Sequence, residues 1–163
     1  MFEGWSYSQL LRVIGQSLEE RAVQDFSLVW EGGEFVVRGN RVASLEKRWV
    51  DRLLGQKPAH VERSVEIHYS LQSVLWLQIQ GESLRKDPNQ IPDYFRLSQT
   101  LRTVGSYIES RGMPILSLRR RGGTLYLELQ EQSGKTRVEE HGMGSFENYF
   151  VRTYLRWRKQ KPS

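Results

Sequence analysis

The 163-residue chain contains no cysteine. That excludes disulfides, thiol nucleophiles and cysteine-ligated metals, and it makes a cytoplasmic setting the expectation. Long apolar runs are also missing, since none approaches the roughly 18 residues of a membrane helix. Met1-Phe2-Glu3-Gly4-Trp5 has neither the basic start nor the apolar stretch of a signal peptide. The histidines are His60, His68 and His141, and none has a partner at metal-ligand spacing, so no metal site is expected. No Gly-x-Ser-x-Gly elbow is present, and the pairs Glu19-Glu20 and Glu139-Glu140 read as solvated surface. Gly142-Met143-Gly144-Ser145 lacks the lysine of a phosphate loop and the third glycine of a dinucleotide fingerprint. It reads as a loop ending in a serine that caps a helix. The expectation is therefore a protein that is not an enzyme and needs no cofactor.

What the chain does have is self-similarity. Residues 8–38 laid over 98–128, ninety positions on, match at eleven of thirty-one positions without a gap, where chance gives about two. The identities include Ser8/Ser98, Gly15/Gly105, Glu19/Glu109, Leu28/Leu118 and the paired glycines 32–33 and 122–123. A shorter match at an offset of 101 sets 44–50 against 145–151, leaving eleven extra residues in the second half. Long-period similarity of this kind is the mark of one supersecondary unit used twice. With two copies, a closed pseudo-twofold arrangement around one core is expected, by analogy with symmetric dimers.

Each unit has a readable order. Tyr7, Leu11, Ile14 and Leu18 lie on one helical face, and Leu97, Leu101, Val104 and Ile108 repeat the pattern. Ser6 or Ser8 caps the first helix, and Gly112 before Met113-Pro114 ends its counterpart. Apolar segments around each double glycine predict tight hairpins, and a further strand is expected around Arg137-Val138 after a turn at Ser133-Gly134. Leu45, Trp49 and Leu53, and Phe146, Tyr149, Phe150, Tyr154 and Trp157, mark closing helices. Ser70 to Gln80, with Leu71, Val74, Leu75 and Ile79 on one face, reads as a linking helix, though Val65 to Trp76 also fits a strand. The fold expected is α+β: a tandem duplication of an α-β-β-(β)-α unit, with copy one at 1–60, a linking segment at 61–90 and copy two at 91–163, in one compact domain. The element order is similar to that of double-stranded-RNA-binding domains, a similarity of order alone that carries over no residue. Gly15 and Gly105, both inside helices, are expected to mark a close backbone approach.

Charge separates the halves. The chain carries +5 overall, yet residues 91–163 hold 13 basic against 7 acidic side chains. Val29-Trp30-Glu31 before the first double glycine becomes Arg119-Arg120-Arg121 before the second, and Asp51 and Gly55 become Arg152 and Arg156. Arginine outnumbers lysine 18 to 6, which suits planar contacts to phosphate or carboxylate. A nucleic-acid-binding surface is therefore expected from Arg119, Arg120, Arg121, Lys135, Arg137, Arg152, Arg156, Arg158, Lys159 and Lys161, with Trp157 or Tyr126 as rings for base stacking. The alternative is a protein-interaction or assembly module whose basic face docks an acidic partner. No membrane partner is expected, and the oligomeric state is left open.

Overall fold

The computed structural model describes residues 1–44, 60–83 and 97–146. These form an α+β fold: α1 (Tyr7–Glu20), β1 (Val23–Glu31), β2 (Glu34–Ser44), β3 (His60–Tyr69), α2 (Leu71–Ser83), α3 (Leu97–Arg111), β4 (Ile115–Arg121), β5 (Thr124–Gln130) and β6 (Thr136–Gly142). The six strands make one antiparallel sheet in the order β3-β2-β1-β4-β5-β6. The closing-helix residues 45–57 and 147–157 lie outside the described residues, apart from a helical start at 143–146.

Local chemistry accounts for the elements. Ser6 caps α1 by accepting a hydrogen bond from the Gln9 backbone at 3.2 Å, and the Gln9 side chain accepts from the Ser6 backbone at 3.3 Å. This reciprocal box satisfies two amides that the first helical turn leaves open. Leu10, Leu11, Ile14 and Leu18 are wholly buried, each such side chain contributing about 2 kcal/mol. Just beyond the helix ends, Ala22 (φ +55°) after α1 and Gly112 (φ +65°) after α3 are left-handed residues that stop the helix. The tight turns expected at the double glycines form, setting Glu31 opposite Glu34 and Arg121 opposite Thr124.

The core lies between the sheet and α1 and α3, which run antiparallel. Leu28, Phe35, Val37 and Ile67 from the first three strands meet Leu118, Leu125, Leu127 and Leu129 beneath the helices. Phe2, Trp30 and Phe35 close one end with ring centroids 4.7 to 6.0 Å apart, edge to face. The helix contact runs through the two glycines. A Cβ on Gly15 would sit 2.8 Å from the Ser98 Cα, and one on Gly105 would sit 2.5 Å from the Ser8 Cα. At the same crossing the Ser98 amide donates to Glu19 at 2.7 Å and the Ser8 amide donates to Glu109 at 3.1 Å. Each helix thus brings a carboxylate from its last turn to the positive N-terminus of the other. Below them, Leu28 pairs with Leu118, Ser27 with Arg119 and Val29 with Ser117. All these pairings map onto one another when ninety is added to one residue number and subtracted from its partner's.

The linking helix expected over Ser70 to Gln80 forms as α2, and the strand alternative from Val65 meets the end of β3, His60–Tyr69, an edge strand paired along its length with β2. Two other expectations need correction. Of the apolar face of α2, only Val74 is buried, while Leu71, Leu75, Trp76 and Ile79 are exposed. The α1–α3 pair already covers the middle of the sheet, leaving α2 at its rim. Ser145 is no helix cap either: Met143, expected in a loop, is buried, its amide donates to the Gly123 carbonyl at 2.8 Å, and the helical residues start there.

The packing makes two sets of substitutions informative. Helix propensity alone says that Gly15→Ala and Gly105→Ala gain about 1 kcal/mol each. The close backbone approach says instead that each destabilises by about 2 kcal/mol through overpacking, and urea unfolding gives the sign. At the helix ends, Gly112→Ala should cost about 1 kcal/mol and Ala22→Gly should gain up to about 1 kcal/mol, because only the first forces a Cβ into the left-handed region. Equal thermal melts for all of these would remove backbone conformation from the account.

Candidate functional site: the open face of the sheet

The three described helices α1, α2 and α3 lie on one side of the sheet, and among the described residues no element packs on the other side, although Val36 there is buried. Strand register gives that open face its layout, because directly paired residues share a face. One row across the sheet reads Glu66, Arg38, Ser27, Arg119, Tyr126, Glu140. The next reads His68, Val36, Val29, Ser117, Glu128, Val138.

The β1–β3 side of this face is an ion network. The Arg38 guanidinium donates to both carboxylate oxygens of Glu31 at 3.0 Å and, through Nε, to Glu66 at 3.0 Å. The other Glu66 oxygen meets His68 Nε2 at 2.8 Å, and His68 Nδ1 meets Glu34 at 2.5 Å. Hydrogen bonds from Arg38 hold the Glu31 carboxyl below the usual carboxylate range, and those from His68 and then Arg38 do the same for Glu66. His68 is pushed up by its hydrogen bonds to Glu34 and Glu66. With three carboxylates against one guanidinium and one imidazole, this network is net negative whether or not His68 is protonated.

The β4–β6 side is built differently. The Arg119 guanidinium lies 5.5 Å from the centroid of the Tyr126 ring, a cation–π contact. Among the described residues, neither Arg119 nor Arg121 has a carboxylate within ion-pair distance. Glu128 is engaged by the Ser117 hydroxyl at 2.7 Å. Asp25, reaching across from β1, accepts from the Gly122 amide at 2.9 Å and fixes the turn that carries Arg121.

The remaining arginines and lysines named from sequence do not all join them. Arg120 pairs with Phe26 and Leu125, core-facing residues, so it projects toward the helix side, and its Nε donates to the Gly122 carbonyl at 3.3 Å. Lys135 sits at the exposed β5–β6 turn. Arg137 is on the helix side of β6, held 3.2 Å from Glu139. That carboxylate also takes Tyr107 Oη at 2.7 Å, His141 at 3.2 Å and Arg111 at 3.5 Å. Desolvation, the largest influence on Glu139, acts upward, but the bonds from Tyr107 and His141 and the charge of Arg111 outweigh it and hold the group low. Burial, then the bond to Glu139, pushes the Tyr107 hydroxyl up. Arg152, Arg156, Arg158, Lys159 and Lys161, and the ring of Trp157, lie outside the described residues.

Sequence reasoning did not find the Glu31–Arg38–Glu66–His68–Glu34 network. Its members come from three strands, and only the register brings them together. Among the described residues no group of three or more histidine or acidic side chains has the arrangement of a metal site, and no described helix is long and apolar enough to cross a membrane. The class that the fold defines is an α+β protein with a six-stranded antiparallel sheet. The chain matches no known protein family, no curated protein and no solved structure.

The His68 contacts carry a pH dependence. A group raised on folding stabilises the fold in its protonated form, fully so below the unfolded value of about 6.5, and that contribution fades as pH rises through the folded value. Thermal melts of the parent protein between pH 6 and pH 8 should therefore fall relative to those of His68→Gln. Parallel curves for the two proteins would show that the imidazole contributes nothing that titrates.

Proposed function

We propose that the chain is a non-enzymatic nucleic-acid-binding protein that contacts phosphates through the arginine side of its open sheet face. The observation that carries this is the state of Arg119 and Arg121. They stand on an exposed face, without a carboxylate partner among the described residues, while Arg38 on the same face is saturated by two glutamates. A guanidinium without a carboxylate partner among the described residues has planar donors to offer a ligand oxygen. The +6 carried by residues 91–163 adds a long-range attraction for a polyanion.

By origin, the two halves are read as copies of one unit related by a pseudo-twofold axis through the Leu28–Leu118 pair. The matched sequence and the reciprocal helix contacts support that reading. The equivalents of Arg119 and Arg121 are then Val29 and Glu31, so the copies have diverged in charge at the same two places on the same face. A second reading, docking of an acidic protein, is favoured by Glu128 and Glu140, which intersperse the arginine side as they would in a mixed-charge interface.

Fluorescence anisotropy with labelled oligonucleotides at about 50 and 200 mM salt tests the proposal. Binding should weaken steeply with salt. Arg119→Glu with Arg121→Glu should weaken it at least about tenfold and lower the salt slope by about 1 for each phosphate no longer neutralised. Both positions are exposed, so the circular dichroism spectrum should not change. Affinity indifferent to salt and to the double reversal would turn the assignment to the acidic-protein reading.

A further inference from the structure

We infer that the nucleic acid taken by this face is single-stranded, with one unpaired base lying on the Arg119–Tyr126 pair. The inference rests on the nucleic-acid reading above and adds the class of strand to it.

The geometry of the sheet supplies the argument. Tyr126 is on β5, the fifth of six strands, half-buried on the open face with Arg119 of β4 on one side and Glu140 of β6 on the other. Neighbouring strands lie about 4.8 Å apart, so six of them make a surface about 24 Å across. The major groove of B-form DNA is about 12 Å wide and admits a helix or a two-stranded ribbon. A surface twice that width, with strands on both sides of the ring, does not enter it. The A-form major groove is narrower still, and paired bases in either duplex offer the protein their edges, not their faces. A duplex resting on this face can therefore give its phosphates to Arg119 and Arg121 but nothing to the Tyr126 ring. An unpaired base can turn its flat face to the sheet and stack on the ring, on the guanidinium beside it, or across both.

Charge decides where such a strand runs. A path across the sheet toward β3 meets Glu31, Glu34 and Glu66, whose network has no spare cation. A path along β4 and β5 instead passes Arg121 at the β4–β5 turn, then Arg119 and Tyr126, and reaches Lys135 at the β5–β6 turn. The backbone track and the stacking ring thus lie on one line about 20 Å long, the length of a seven-residue strand.

The test measures anisotropy of one labelled mixed-sequence 12-mer, single-stranded and annealed, as DNA and as RNA, with polyglutamate as a competitor. Four proteins are compared: the parent, Tyr126→Ala, Tyr126→Phe and Arg119→Glu with Arg121→Glu. The expected result is single-stranded binding at least about tenfold tighter than duplex binding. Tyr126→Ala should abolish that preference by weakening the single-stranded complex about tenfold, in line with the loss of one stacked base. Tyr126→Phe should keep it, since the ring stays. The Tyr126 side chain is on the face away from the core, and matched thermal melts verify that its removal leaves the fold intact. Equal binding of both strand forms, unmoved by Tyr126→Ala but abolished by arginine reversal, overturns the single-strand inference and leaves the nucleic-acid reading standing. No binding of either form, or displacement by polyglutamate as effective as by nucleic acid, overturns both.

Discussion

At the crossing of α1 and α3 each backbone occupies the space where the other helix would otherwise place a side chain, and the sheet beneath is positioned by that crossing. Gly15 and Gly105 remove the Cβ atoms that would hold the helices apart. The closeness then brings Glu19 to the Ser98 amide and Glu109 to the Ser8 amide, so shape and electrostatics favour one docking geometry. Each helix is tied to the outer strand of its own half, α1 by the Tyr69 hydroxyl donating to Ser17 and α3 by the Tyr107 hydroxyl donating to Glu139. Fixing one helix against the other therefore fixes the hairpins edge to edge, and β1 meets β4 with Leu28 opposite Leu118. A single six-stranded sheet is the result, with α1 and α3 on one side and no described element on the other.

The open side is where the halves cease to resemble each other. On the β1–β3 side every cation of the central network is bound by carboxylates, and the network spans three strands. Such bonds hold side chains in place on an exposed surface, where isolated ion pairs contribute little. On the β4–β6 side the carboxylate of Glu128 is taken by a serine, and Arg119 rests on an aromatic ring. The second half also keeps a well-satisfied acid, Glu139, but on the helix side, where it ties β6 to α3 through Tyr107 and Arg111. Structural ion pairs and open arginines thus occupy different surfaces of the same half.

Much of the architecture was legible in the chain. The residues identical at an offset of ninety include Ser8, Gly15 and Glu19 with their counterparts, and these are the residues of the helix crossing. The hairpins were marked by their paired glycines, and both helical faces by their spacing. β3 was legible only as an alternative with the wrong bounds, because Val65, Ile67 and Tyr69 alternate only over the end of the strand and run straight into the apolar positions of α2. Nor could the β1–β4 seam be read, since pairing across ninety residues leaves no local trace. The arginine run shows both limits. Its strand character was expected, and alternation alone would have sent Arg120 to the opposite side from Arg119 and Arg121. The bond from Arg137 to Glu139, by contrast, follows from strand alternation on an edge that only the completed sheet defines.

The reciprocal caps also set an order of events during synthesis. The α1 helix emerges with its glycine face bare, its N-terminal amides partly open and β1 lacking one neighbour. All three are completed by residues between Ser98 and Arg120. At about 5 to 20 residues per second, the ribosome supplies these about 5 to 20 seconds later. For that interval the first half presents an unpaired strand edge and an exposed apolar surface, a form that chaperones and neighbouring nascent chains would meet before the finished fold exists.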